Sequence, residues 1–389
     1  TKEALLILDN FEHLLAGGAL IVDLLRHAAD LRILVTSQKR LNVPGEWLFN
    51  LEALDYPDGE FSAASGEEGN QYSAVQFFVK SARRWHPDFS LTSANRSHVI
   101  HICQLVSGIP LALELAASWL RAYSCQEIAR EVQNNLDFLQ SSSPGVPTRH
   151  HSMRAAFRYA WALLTAEEQS VLQRLTVFQG SFSKAAALQV VDTSPQILAA
   201  LVDKSMLNRV TYEHPNPVTR YMMHNLVRHY AAEKLTRAPD VLLSTHQRHC
   251  DYYCALLQGL ESDLTGNAQR QAIEILSAEI ENTRAAWDWA ATHSRASAIK
   301  QALGSLSEFY TLRCWFQEGA SVFDQAIQNL SRTRPMPQSI RHLILKLSTR
   351  RGIFLGHLGL HAEAENLLRK SLAGLQTLED VPEMVLCLN

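Results

Sequence analysis

Ala4-Leu5-Leu6-Ile7-Leu8-Asp9-Asn10 is an unbroken apolar run that ends on a carboxylate and an amide. Five apolar residues without polar alternation are the pattern of a strand covered on both faces, as in a parallel sheet flanked by helices. Leu14, Leu15, Leu20, Ile21, Leu24 and Leu25 follow at near-helical spacing, and Leu31-Arg32-Ile33-Leu34-Val35-Thr36-Ser37 reads as a second strand of the same kind. Strand, helix and strand make a β-α-β unit, so the two strands are expected to be parallel with a right-handed crossover. Asp9 then stands at the carboxyl end of a sheet strand, where open α/β sheets bind ligands. A carboxylate there holds Mg2+ through water in many nucleotide sites, or else caps the helix that follows. Thr36 and Ser37 end the second strand, either as polar sensors beside a phosphate or as ordinary turn residues.

Beyond a polar, Gly-rich loop at about Pro57–Asn70 the pattern turns helical. Ser73–Trp85, Ser93–Val106 and Leu111–Ala122 are predicted helices, and Pro110 suits the first turn of the third, where its missing N–H is no loss. The stretch Ser141-Ser142-Ser143-Pro144-Gly145-Val146-Pro147 reads as a linker. Short helices fill Met153 to about Lys234, and two strands, Ser205–Val210 and Arg220–Met223, flank a turn with Pro215 and Pro217, which suggests a winged helix. From His246 long amphipathic helices alternate with breaks at Gly266, Ser294, Arg332–Pro337 and Gly356–Gly359. The pair Ser339–Leu355 and His361–Leu375 looks like one tetratricopeptide-type hairpin of about 34 residues. The expected fold is multidomain, α/β and then mainly α. It divides as 1–60 (part of a parallel sheet), 61–145 (helical), 146–240 (winged helix) and 241–389 (helical repeats).

The chain has 389 residues, with 36 basic against 39 acidic side chains and a net charge of −3. That length supports several packed cores and excludes a disordered or disulfide-scaffold protein. The charge balance lacks the basic excess of a surface that binds nucleic-acid phosphates. Six cysteines show no zinc-like spacing, so reduced thiols in a cytoplasmic protein are expected. Apolar runs such as Ile109–Ala117 are interrupted by Glu114 and too short to span a bilayer, so no membrane partner is expected.

Four segments together resemble a known family. Leu6-Ile7-Leu8-Asp9-Asn10-Phe11-Glu12-His13-Leu14 looks like the Walker B segment of the NB-ARC, or AP-ATPase, branch of the STAND signal-transduction ATPases. Leu34-Val35-Thr36-Ser37-Gln38-Lys39-Arg40-Leu41 resembles its sensor strand. Gly108-Ile109-Pro110-Leu111-Ala112 is similar to the GLPLA motif, and Met222-Met223-His224-Asn225 to the MHD motif of the winged helix. The order matches, helical repeats follow, and Glu281–Ala290 resembles the segment that opens the repeats in bacterial regulators of this kind. The resemblance implies a P-loop NTPase sheet, a helical ARC-type domain, a winged helix and tetratricopeptide-like repeats. It implies ATP or ADP with Mg2+ as cofactors in the full-length protein. Asp9 would serve the metal through water, as the catalytic carboxylate of at most a slow ATPase. Thr36, Ser37 and Gln38 would lie along the nucleotide, Pro110 beside the adenine, and His224 would hydrogen-bond the β-phosphate of ADP.

Three departures accompany it. No GxxxxGK[ST] occurs in the 389 residues, so the chain is expected to be a fragment lacking the phosphate-cradling loop, and inactive as such. Gln38 replaces an arginine that would sense the γ-phosphate, and Asn225 replaces the acid of the MHD motif. The leading expectation is a regulatory switch, locked by ADP and released by ATP, whose repeats sense a protein or small-molecule inducer and which self-associates when ATP-bound. DNA contact would belong to a missing effector domain. The alternative is an interaction scaffold whose ATPase core has decayed.

Overall fold

The computed structural model describes residues 3–57, 71–140, 152–212, 218–332 and 334–388. The loop residues 58–70, the linker Ser141–Pro147 and the turn holding Pro215 and Pro217 lie outside the described residues. In chain order the elements begin with β1 (Ala4–Leu8), α1 (Gly18–His27), β2 (Leu31–Val35), α2 (Ser73–Trp85), α3 (Arg96–Leu105), α4 (Pro110–Ser118) and α5 (Cys125–Asn134). Then come α6 (Met153–Ala162), α7 (Ala166–Arg174), β3 (Ser181–Ser183), α8 (Lys184–Val191), α9 (Pro195–Asp203), β4 (Asn208–Tyr212), β5 (Val218–Met222) and α10 (Asn225–Leu235). The remainder is helical: α11 (Pro239–Gly259), α12 (Glu261–Thr265), α13 (Gln269–Thr292), α14 (Ala296–Leu312), α15 (Phe316–Leu330), α16 (Gln338–His357), α17 (His361–Gln376) and α18 (Val381–Leu388).

These elements form two compact units. The first comprises Thr1–Thr176 and Thr193–Ala238, the second Val177–Asp192 and Pro239–Asn389.

In the first unit β1 and β2 pair in parallel, Ala4 opposite Leu31 and Leu8 opposite Val35, as the β-α-β pattern predicts. Burial on both faces does not hold. Leu5, Ile7 and Leu34 are 61%, 60% and 54% exposed, because α1 packs against β2 and no described element covers the opposite face. The helical part has a closed core instead. Here α2 packs on α4 and α3 on α5, around Phe78, Ile102, Leu113 and Ile128, and Leu226 and Tyr230 of α10 join the same cluster. The predicted Ser73–Trp85 is observed to the residue, while the helix opened by Pro110 ends at Ser118 and continues as a single 3-10 turn, Trp119–Arg121. Arg154 of α6 forks onto Glu233 of α10 at 2.7 and 2.9 Å and also reaches Asp137, and the planar guanidinium suits that double bond. Strands β4 and β5 are antiparallel, with Asn208 opposite Met222, a few residues displaced from the predicted bounds.

In the second unit α11 packs on α13 and α14, α15 on α16, α16 on α17 and α17 on α18. Trp287, Phe309, Tyr310, Phe323 and Phe354 fill one continuous core. Small residues set the helix spacing: a Cβ at Gly319 would come within 2.6 Å of the Phe354 ring, and one at Gly352 within 2.7 Å of Leu368. The helices end in one recurring turn. At Ser294, Cys314, Gly359 and Glu379 φ is positive, between 52° and 80°. In each, that residue's amide bonds to the carbonyl three back and the next amide to the carbonyl five back, as in Cys314 to Thr311 and Trp315 to Tyr310, both at 3.0 Å. The break at Cys314 carries no glycine or proline and has no counterpart among the predicted ones, α16 runs through Gly356 rather than breaking there, and α17 ends one residue past the predicted Leu375.

The segment Val177–Asp192 is fastened to α11 and α13. Asn282 of α13 accepts a hydrogen bond from the Gln179 amide at 2.7 Å and donates to the Ser181 carbonyl at 2.9 Å. Phe178 stacks on Phe182 at 4.4 Å and packs edge-on against His249 and Tyr253 of α11. The Asn282 amide thus serves two backbone groups that would otherwise be buried unpaired.

Candidate functional site

All six residues singled out in the sequence lie in the first unit, in two clusters. One is the carboxyl end of β1 and β2. Thr36 continues the ladder by donating its amide to the Leu8 carbonyl at 2.9 Å, and its own carbonyl accepts from the Phe11 amide at 2.9 Å. The chain turns between them at Asn10, whose φ of 57° and ψ of 46° are left-handed, a conformation asparagine tolerates better than most residues. That turn brings the Thr36 hydroxyl onto Asp9: Oγ1 donates to Asp9 Oδ1 and accepts from the Asn10 amide at 3.0 Å. The side chain of Asp9 is exposed, and its recorded bond comes from Thr36 rather than from the amides of a following helix.

Ser37 and Gln38 continue this edge. Ser37 Oγ accepts from the Lys39 amide at 3.2 Å, and the Gln38 amide donates to Glu12 Oε2 at 3.4 Å. Glu12, 6% exposed, also accepts from the Tyr159 hydroxyl of α6 at 3.3 Å. The Gln38 side chain itself is exposed. Glu12 therefore organises the edge, although its position beside a helix start marks it in the sequence only as a surface or capping group.

The second cluster joins Pro110 to His224. After α3 the backbone takes positive φ at Ser107 (51°) and Gly108 (66°). The Gly108 carbonyl accepts from the Leu54 amide at 3.1 Å, and a Cβ on Gly108 would fall 2.0 Å from the Leu54 carbonyl oxygen, so only glycine fits. Pro110 follows as the first residue of α4. From the other side, His224 stands at the start of α10, and the next amide, Asn225 N, donates to Ser107 Oγ at 3.4 Å. Ser107, just before one motif, and Asn225, within the other, lie 118 residues apart and meet through a serine hydroxyl.

His224 Nε2 lies 3.0 Å from Nδ2 of Asn208 on β4. With the amide so oriented Asn208 donates, Nε2 accepts, and a neutral ring carries its hydrogen on Nδ1. That Nδ1 is buried without a hydrogen-bond partner among the described residues. Burial also lowers the pKa of the ring, which keeps it neutral. A buried N–H with no acceptor costs about 1–3 kcal/mol, and an acceptor brought to it recovers that cost. Of this cluster, Ser107 and Asn208 were not legible in the sequence: a serine before a glycine reads as a turn, and nothing local names a partner 118 or 16 residues away.

Among the described residues no single helix is long and apolar enough to cross a membrane. No family model matches the chain. It is 33% identical over 336 residues to a "Putative HTH-type transcriptional regulator" of Mycobacterium tuberculosis, strain H37Rv, a match covering 84% of this chain and 36% of that protein. Over 256 residues it is 30% identical to an "Uncharacterized protein" of the same strain, covering 63% of this chain and 61% of that one. A crystal structure of a STAND protein with a tetratricopeptide repeat sensor from Pyrococcus horikoshii aligns with 99% of this chain and 52% of its own at 16% identity. Its TM-score is 0.30, at which the likeness carries no structural argument. The chain spans about a third of the length of the first curated relatives it matches. The chain is thus similar over 84% of its length to a mycobacterial protein named as a transcriptional regulator, and its four ordered segments resemble motifs of STAND-type regulators.

Proposed function

We propose that the chain is part of a nucleotide-dependent switch in a transcriptional regulator, held off by ADP and released when ATP replaces it. The observation that carries the reading is the buried, unpartnered Nδ1 of His224, tied through Asn225 and Ser107 to the turn that presents Pro110. A phosphate oxygen is an acceptor such an N–H lacks, and a hydrogen bond to a charged group contributes about 1.5–3 kcal/mol. A difference of that size between two nucleotide states changes their ratio by about tenfold to a hundredfold.

The residues fit the cofactor in part. Pro110 would line the base, His224 would donate to the β-phosphate, and Asp9 would hold the water shell of Mg2+ while Thr36 orients its carboxylate. Ser37 and Gln38 would face the nucleotide as neutral donors. Bound Mg2+ supplies neutralisation of phosphate charge, and this chain contributes the orientation of Asp9 toward it. The β4–β5 hairpin with α10 acts in this reading as a winged helix that closes over the nucleotide, and the helical repeats receive an inducing protein or small molecule. Self-association follows ATP binding, and DNA contact falls to the rest of the regulator.

The test is the nucleotide content of the full-length regulator, denatured after purification and its released small molecules chromatographed. Stoichiometric ADP, lost in His224→Ala, is expected. A folded protein free of nucleotide, with His224→Ala indistinguishable in oligomeric state, would sink the switch and leave an interaction scaffold.

A further inference from the structure

In the second unit a cavity of about 310 Å³ opens between the N-terminal parts of α14 and α16. Ser297 and Lys300 enter it from α14, and Ser339, His342, Leu343 and Lys346 from α16. No acid lines it. The carboxylates of Asp380, just before α18, and Glu383, within it, are already engaged: Asp380 takes His342 Nε2 at 2.6 Å and Lys346 Nζ at 2.8 Å, while Arg350 forks onto Glu383 at 2.9 and 3.0 Å and Lys346 Nζ lies 3.8 Å from it. His342, Lys346 and Arg350 recur every four residues and share one face of α16, so the pairing with Asp380 and Glu383 fixes Lys346 beside the cavity. Arg350 and Lys346 thereby balance Glu383 and Asp380 one to one. Lys300 is left as an exposed cation with no ion-pair partner among the described residues. An ammonium has three donors, of which Asp380 uses one on Lys346, and the hydroxyls of Ser297 and Ser339 add donors beside them. Leu343 is buried and supplies an apolar wall.

Excess donors, one uncompensated positive charge and an apolar wall match a ligand of opposite character. The volume lies at the lower end of the range for small-molecule sites. We infer that this cavity binds a small organic anion, a carboxylate or phosphate ester, with its oxyanion between Lys300 and Lys346 and its apolar body on Leu343. The inference rests on the reading of the repeats as the part of the switch that receives a ligand.

The test uses the whole chain at constant ionic strength, with chloride as the reference salt. Inorganic phosphate is followed by ³¹P line width and ¹³C-labelled butyrate by its carboxyl line width, so the two headgroups are distinguished. Saturable broadening by at least one of them is expected, about tenfold weaker in Lys300→Met, restored in Lys300→Arg, and weakened to a smaller extent in Ser339→Ala. Lys300 and Ser339 are both exposed, so neither substitution disturbs the core. Absence of saturable binding by both probes, or binding unchanged in Lys300→Met, overturns the site. Binding that passes these tests but leaves the nucleotide retained by the full-length regulator unchanged upholds the site and counts against the switch.

Discussion

Helices in both units end in the same left-handed turn, at Ser107-Gly108 in the first and at Gly359 in the second, and the two are used in opposite ways. At Gly108 the backbone is pressed against Leu54, and Ser107 beside it receives the Asn225 amide. Around Gly359 an added Cβ would meet nothing within 4 Å. The turn at Ser107 adds a second positive φ at Gly108 and holds a site together. The one at Gly359 recurs at Ser294, Cys314 and Glu379 and only redirects helices. A local conformation thus says where a chain bends, and its surroundings decide whether the bend matters.

The contrast breaks first at Gly108. Gly108→Ala should cost more than about 3 kcal/mol, since the new methyl both meets a carbonyl and sits at positive φ. A denaturation midpoint within a few tenths of the wild type would show that Leu54 yields and that the turn is as open as Gly359. Next is the polar seam of the second unit, where His249 is 2% exposed and its Nε2 has no hydrogen-bond partner among the described residues. Burial drives its pKa down to about 3, whereas the unfolded value is near 6.5. The contribution of this depressed group is therefore present above pH 6.5 and lost as pH falls toward 3. Between pH 7 and 5 the loss is about 2 kcal/mol, read from urea midpoints, and His249→Gln should flatten that slope. If the slope survives the substitution, the titrating group lies elsewhere.

Smaller effects belong to the open turns. Gly359→Ala should cost about 1–2 kcal/mol, the left-handed penalty alone. Its distance from the Gly108 value measures what the surroundings of Gly108 add. Glu379→Gly and Cys314→Gly relieve that penalty but loosen the unfolded chain, so each should gain about 1 kcal/mol or less. A loss of stability in both would mean that those side chains hold contacts outweighing the strain.

Legibility followed the range of the cause. Periodicity along ten to twenty residues located the helices, and Ser73–Trp85 came out to the residue because its apolar stripe and the turn after it are both local. Pro110 was readable as a first-turn proline for the same reason. Cys314 was hidden because no glycine or proline marks the left-handed turn there. The apolar run of β1 predicted two covered faces, but cover is supplied by other elements, and α1 reaches only one face. The motifs named Asp9, Pro110 and His224, while Ser107, Asn208 and Glu12, which orient those segments, are joined to them by contacts too distant in sequence for any spacing to reveal.

Because Val177–Asp192 belongs to the second unit, the two units cannot be parted by cutting the chain once. The chain leaves the first unit at Thr176, returns at Thr193 and leaves again after Ala238, so no single cut separates the two. Cleavage at Ala238 would leave Phe178, Phe182 and α8 on one fragment and His249, Tyr253 and Asn282 on the other, each with an apolar seam stripped of its partner. The fragments should remain associated after nicking. Gene fusions that exchange the repeats alone should yield insoluble products, because the stretch of the upstream region that completes their core is left behind.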